Sequence, residues 1–294
     1  MVRPAAGRGG GPVSTTTTSR TAARLDALRA AGRPALVGYL PVGYPDVARS
    51  VEAVTAMVDA GVDVVEIGVP YTDPVMDGPV IQEAAEAALL AGTRVRDVLQ
   101  VVEAVADRSG GTVPSLVMSY YNPVLRYGVA AFARDLAAAG GAGMITPDLI
   151  PDEAGEWVAA ADEHDLDKVF LVAPSSTPER LQLTARASRG FVYASSTMGV
   201  TGARAAVGRR AEQLVADTRA AGAEHVCVGI GVTTGDHAAE VGRYADGVIV
   251  GSALVRTLLG DAPWSARLDA LGKVTAELAA GVARARTTTP GGPA

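Results

Sequence analysis

Val64-Val65-Glu66-Ile67-Gly68-Val69-Pro70-Tyr71-Thr72-Asp73-Pro74-Val75-Met76-Asp77-Gly78-Pro79 is the stretch from which the architecture can be worked out. Residues 62–69 form a nearly unbroken β-branched run, the pattern of a strand buried on both faces. Glu66 lies inside that run, where a carboxylate is costly unless it is paired, protonated or chemically employed. From Pro70 to Pro79 the chain carries three prolines, one glycine and two aspartates, which is turn chemistry with no apolar period. A carboxylate on a buried strand therefore feeds a stiff acidic loop at the strand's C-terminal end, the end where α/β proteins bind ligands. The same residues also fit a satisfied core glutamate followed by two turn-forming aspartates.

Outward from this stretch the same unit recurs. Short apolar strands are predicted at 35–42, 62–69, 115–119, 143–146, 169–173, 191–194, 226–230 and 246–250. Helices are predicted at 20–31, after the capping residue Asp46, and at 79–91, 95–108, 129–139, 152–164, 178–188 and 208–221, with more to about 284. Eight strands at roughly 30-residue intervals with helices between them are the arithmetic of a (β/α)8 TIM barrel of the α/β class. An open doubly wound sheet would need a glycine fingerprint after its first strand, and that strand ends instead in Pro41-Val42-Gly43-Tyr44-Pro45. We therefore expect one catalytic barrel over 20–285, with disordered tails at 1–19 and 286–294, both rich in Gly and Thr.

Composition removes several function classes. A formal net charge of −6 with scattered basic residues argues against a nucleic-acid partner. No apolar run has the length of a membrane span, and residues 1–19 lack the apolar core of a secretory signal. The single cysteine, Cys227, allows no internal disulfide and suits a reducing cytoplasm. Of the two lysines, Lys168 begins a strand at the wrong end for catalysis and Lys273 lies on a late helix, so Schiff-base chemistry has no candidate. His164, His225 and His237 share no face, which makes a metal site improbable. Ser195-Ser196 has neither a nucleophile-elbow context nor a neighbouring histidine. Carboxylates, tyrosines and backbone amides remain.

A second constellation lies near the end of the chain. Gly229-Ile230-Gly231-Val232-Thr233-Thr234 and Val250-Gly251-Ser252-Ala253 each place glycine at a strand end and a small polar residue at a helix start. In a barrel these two loops form a phosphate site, because glycine lets backbone N–H groups approach an anion. Met198-Gly199-Val200-Thr201-Gly202 has the length and glycine content of a mobile lid. Tight strand ends alone would also account for these glycines.

Taken in order, these motifs resemble the tryptophan synthase α-subunit family over about residues 20–285. The resemblance rests on the long stretch from Val65 to Pro79, on Tyr120-Tyr121-Asn122-Pro123, Pro147-Asp148 and Gly199-Val200-Thr201-Gly202-Ala203, and on the two glycine turns. It implies cleavage of indole-3-glycerol phosphate to indole and glyceraldehyde 3-phosphate, with no cofactor. It further implies a β-subunit partner that uses pyridoxal phosphate, in an α2β2 heterotetramer. Glu66 and Asp77 would be the catalytic pair, and Tyr193 would lie near the glycerol chain. Tyr39, Tyr120 and Ile230 would face the indole. Gly202, Gly231, Gly251 and Ser252 would hold the phosphate, and Thr201 would belong to the substrate-binding set. Met76 stands where the family usually has a small residue, a difference that bears on the packing of the Asp77 loop. Thr197-Met198 replaces the family's usual Arg-Thr or Arg-Ser, which predicts weaker coupling to the β subunit.

Two other readings share these features. A related phosphate-binding barrel would keep the glycine turns but not the Glu66/Asp77 arrangement. A regulatory module that binds a β-type partner without turnover would not need either carboxylate.

Overall fold

The computed structural model describes residues 18–196 and 204–285. Eight strands alternate with helices: β1 (Ala35–Pro41), β2 (Val64–Gly68), β3 (Ser115–Met118), β4 (Gly143–Thr146), β5 (Asp167–Val172), β6 (Val192–Ser195), β7 (Val226–Gly229) and β8 (Gly247–Val250). Each pairs in parallel with the next, and β8 pairs with β1, so the sheet closes into a barrel in sequence order. The helices are α1 (Arg20–Ala30), α2 (Val47–Asp59), α3 (Pro79–Leu90), α4 (Val95–Ser109), α5 (Tyr121–Tyr127), α6 (Val129–Ala138), α7 (Gly155–Glu163), α8 (Pro178–Ala187), α9 (Arg204–Ala220), α10 (Gly235–Val241), α11 (Ser252–Leu258) and α12 (Trp264–Arg284).

Burial on both strand faces produces two apolar layers. Val37, Val64, Leu116, Ile145, Val169, Cys227 and Ile249 fill the barrel interior. The opposite strand faces meet the inner stripes of the helices, for example Val54 and Met57 of α2 and Val98, Val101, Val102 and Val105 of α4. Asp46 caps α2 as expected, accepting the Arg49 N–H at 2.8 Å.

The N-terminal end of the barrel is closed by α1. Thr21, Leu25 and Leu28 recur at helical spacing and are buried, and the two leucines join the interior cluster. Ser19 caps this helix, accepting the Ala22 N–H at 3.0 Å. Three aspartates at strand starts pin the plug. Asp63, before β2, binds Arg24 at 2.6 Å and Arg33 at 2.7 Å. Asp167, opening β5, accepts the Thr21 N–H at 3.3 Å, and Asp246, before β8, pairs with Arg29 at 3.0 Å. Lys168 and His225 lie at this same end. Lys168 is tied to Asp162, and His225 contacts Arg29 and Asp26, so both are committed to structure.

Strand and helix ends shift by one or two residues, and three helical segments differ more from the expectation. The segment after β3, for which no helix was expected, forms α5 with Pro123 in its first turn. Proline is tolerated there because first-turn N–H groups have no helical acceptor to lose. The helix expected over 152–164 begins as a 3₁₀ turn, Pro151–Glu153, and becomes α-helical only at Gly155. The helix expected from 208 already starts at Arg204. Of the terminal tails, residues 1–17 and 286–294 lie outside the described residues, as does the lid segment 197–203.

Candidate active site

The C-terminal end of the barrel holds a cavity of about 330 Å³. Glu66 reaches it from the middle of β2. Its position in the strand points it inward, on the same rung as Tyr39 of β1 and Leu116 of β3. The residue is 1% exposed, and neither carboxylate oxygen has a hydrogen-bond partner among the described residues. Burial alone raises its pKa to about 8, because the ionised form loses hydration and gains nothing in return. Glu66 is therefore mostly a neutral carboxylic acid at pH 7.

Asp77 enters the same cavity from the loop after β2. It is half-buried, and its pKa is also raised by desolvation. Two contacts fix its neighbourhood: the Met76 N–H donates to the Tyr120 hydroxyl at 2.9 Å, and Gln82 donates to the Asp77 carbonyl at 2.7 Å. Two carboxyl groups thus face one cavity, one deep on a rigid strand and one on a wetter loop.

Tyr39 and Tyr193 complete the inner wall. Burial raises both phenols well above their usual value, and the nearby Glu66 and Asp77 reinforce the shift. Both hydroxyls therefore stay protonated. Each ring lies against a glycine at the end of the following strand: Tyr39 on Gly68, and Tyr193 on Gly229. A Cβ at either glycine would collide with the phenol, so these positions must remain bare for the tyrosines to lie as they do.

The opposite wall is made by the ends of β7 and β8. Gly231, Gly251 and Ser252 line the cavity there, and Gly231 has φ +75° with open space where a Cβ would project. Among the described residues, no lysine or arginine lines the cavity. An anion at this wall would meet backbone amides and the Ser252 hydroxyl.

Of the residues expected to act, Tyr39, Glu66, Asp77, Tyr193, Gly231, Gly251 and Ser252 come together around this space. Tyr120 stands one layer back: it stacks on Tyr71 with ring centroids 4.9 Å apart and holds the Met76 amide. Ile230 is buried in the layer between strands and helices. Thr201 and Gly202 lie outside the described residues. Gly229, from the first of the two glycine turns, lines the cavity as well, and Met118, Ser195 and Ile249 do so without having been anticipated. Their signal was available, since each points into the barrel near a strand's C-terminal end, but that alternation shows only once the register is known. Met76 lines the cavity too, beside Asp77. The described residues contain no group of three or more acidic, histidine or cysteine side chains able to hold a metal ion.

The chain matches the model of one protein family, the tryptophan synthase alpha chain, over residues 25–280. It is 62% identical to the tryptophan synthase alpha chain of Mycobacterium marinum over 271 residues, which cover 91% of this chain and 97% of the relative. Among solved structures it is similar to a chain of Mycobacterium tuberculosis tryptophan synthase, with 55% identity and a TM-score of 0.82 over 90% of this chain and 99% of the other. The fold persists at greater distance. Tryptophan synthase subunit alpha from Legionella pneumophila gives a TM-score of 0.81 at 28% identity, covering 91% of this chain and 99% of that one.

Proposed function

The chain belongs to the tryptophan synthase alpha chain family, whose reaction is the cleavage of indole-3-glycerol phosphate to indole and glyceraldehyde 3-phosphate, and from this premise we propose that Glu66 and Asp77 carry out that cleavage. The observation behind the proposal is Glu66: a buried carboxyl group without a partner, with a pKa of about 8, facing a cavity of substrate size.

Cleaving the bond between indole C3 and the glycerol chain makes an aromatic carbon the leaving group. It leaves readily only after C3 has been protonated. Neutral Glu66 gives its proton to C3, and the positive charge spreads to the indole nitrogen. Ionised Asp77 accepts the indole N–H and stabilises that charge. The Glu66 carboxylate then takes the proton from the hydroxyl on the adjacent carbon. The C–C bond breaks, its electron pair returns to the indole ring, and an aldehyde forms. Glu66 ends protonated, as it began. Tyr39 and Tyr193 wall the ring and glycerol chain. The amides of Gly231 and Gly251 with Ser252 receive the phosphate. Tyr120, Ile230, Thr201 and Gly202 complete the substrate-binding set by resemblance.

The chain works with a β subunit, a pyridoxal-phosphate enzyme, as one half of an α2β2 assembly in tryptophan biosynthesis. Large apolar side chains left bare on the segments that follow β2, β3 and β4 support that pairing: Val75 and Met76 after β2, Leu125 on α5 and Ile150 after β4. A cytoplasmic location agrees with this role, and among the described residues no helix is long and apolar enough to cross a membrane. The barrel over 20–285 is the catalytic unit.

Indole release from indole-3-glycerol phosphate by the purified chain, alone and with a β subunit, tests the reading. Turnover that rises on addition of the partner is expected. A folded chain that releases no indole in either condition refutes it.

A further inference from the structure

We propose that Asp148 is a positioning residue for Asp77, acting through the start of α5 and the Tyr120 hydroxyl on the Met76 amide. The proposal rests on the reading of Asp77 as a catalytic carboxylate.

Asp77 sits in a segment without regular structure, so its direction depends on what ties the loop down. Gln82 holds its carbonyl at 2.7 Å on the α3 side, and on the other side the tie is the Met76 N–H, donated to the Tyr120 hydroxyl at 2.9 Å. That hydroxyl can hold the amide only if Tyr120 is itself fixed. Its ring stacks on Tyr71 at an interplanar angle of 24°. Its backbone is extended, with φ −60° and ψ 151°, as the residue that precedes α5.

A tyrosine in that position has no side-chain acceptor for the unpaired N–H groups of the first helical turn. The acceptor comes from another loop. Both oxygens of Asp148, just after β4, receive the Tyr121 N–H, at 3.0 and 3.2 Å. The carboxylate thus replaces the missing cap 27 residues away in sequence. Removing it leaves the start of a seven-residue helix uncapped and frees Tyr120 to pivot about its stacked ring. The Met76 amide then loses its fixed reference, and Asp77 beside it is held from the Gln82 side alone. Displacements of about 1 Å in a reacting group can cost up to about a hundredfold in rate.

Steady-state indole release by the purified full chain tests this, with melting temperature measured alongside. Asp148→Ala should lower kcat by about tenfold or more with KM within about twofold of wild type. Asp148→Asn keeps an acceptor oxygen without the charge, so it should recover most of that loss. Tyr120→Phe keeps the stacked ring but removes the acceptor for Met76, and serves if Asp148→Ala folds poorly. It should lower kcat similarly, and the double variant should be no worse than the poorer single one. In an Asp77→Asn background, Asp148→Ala should cost nothing further. A normal kcat for Asp148→Ala, or an equal loss in both backgrounds, overturns the positioning role while leaving Asp77 in place. A normal kcat for Asp77→Asn overturns the Asp77 reading itself, and this proposal with it.

Discussion

Tyr39 and Glu66 are direct partners in the register of β1 and β2, so a desolvated phenol and an unpartnered carboxyl group share one rung of the barrel. Both are held in their neutral forms by the same burial. The rung therefore offers protons to the cavity rather than charge. A folded chain would not retain an orphaned buried acid for stability, since an apolar residue would cost less there. The tension is resolved if substrate supplies the missing partner.

The first expectation follows from that orphan. Glu66→Gln keeps size and polarity but cannot shuttle a proton, so kcat should fall by about 10²–10⁴-fold, the usual share of general acid–base catalysis. KM should move little, because the phosphate contacts lie on the opposite wall and glutamine can still hydrogen-bond the substrate. If Glu66 were only a core residue, the change would alter melting temperature and leave the kcat of the folded protein near normal. Near wild-type indole release by well-folded Glu66→Gln removes Glu66 from the mechanism.

At the other end of the barrel the expectation is reversed, with stability lost and chemistry kept. Asp63 is almost fully buried and is held by Arg24, by two hydrogen bonds from Arg33, and by the Leu36 N–H at 3.0 Å. Asp63→Ala strands two guanidinium groups and an amide and loosens α1. The cost should be about 3 kcal/mol, the scale of breaking a buried ion pair by removing one partner. Denaturant unfolding at fixed pH measures it. The kcat of the folded fraction should stay within about twofold of wild type, and a parallel loss of kcat would mean that the plug reaches the active end.

The division between these two ends was partly readable from sequence. Strand order and the catalytic end followed from eight short apolar runs, and Glu66 stood out because no other acid interrupts such a run so deeply. The glycine turns at 229–231 and 250–252 were visible for the same reason, as small residues at strand ends. What sequence could not give was side-chain direction. Tyr120, just after β3, and Tyr39, inside β1, were both expected to face the indole. Only the fold shows that one lines the cavity while the other grips the Met76 amide one layer behind it. Likewise no helix was expected at Tyr121-Asn122-Pro123, because the acceptor that caps it, Asp148, lies on a different loop. Long-range caps of this kind leave no local pattern.

Phosphate binding gives a further expectation. Gly231 has φ +75°, a region that other residues rarely adopt, and a Cβ there would meet nothing within 4 Å. A substitution must therefore act through backbone conformation rather than through a clash. Gly231→Val should turn the amide away from the anion and raise KM for indole-3-glycerol phosphate at least about tenfold, with kcat at saturation less affected. Inorganic phosphate, used as a competitive probe, should weaken in parallel. An unchanged KM in a folded variant would show that the wall formed by β7 and β8 does not carry the phosphate.

The last expectation concerns pH. Glu66 has a pKa of about 8 in the folded chain, against an ordinary value of 4.5. Between those values the folded protein keeps a proton that the unfolded chain has released. Glu66 therefore contributes stability that is fully present below about pH 4.5 and lost as pH rises through about 8. The slope within that window is at most about 1.4 kcal/mol per pH unit. Asp77, raised by the same cause, adds a contribution of the same sign that begins at lower pH. Glu66→Gln abolishes the larger contribution. The variant's melting temperature should thus gain on the wild type steadily from pH 5 to pH 8 and level off above it. Activity should show the matching limb: wild-type kcat should decline above about pH 8 as the acid form of Glu66 disappears. Thermal melts of both proteins across pH 5–9 decide the matter. Parallel curves would mean that Glu66 has found a partner in the folded chain, and its role as the resting acid would have to be given up.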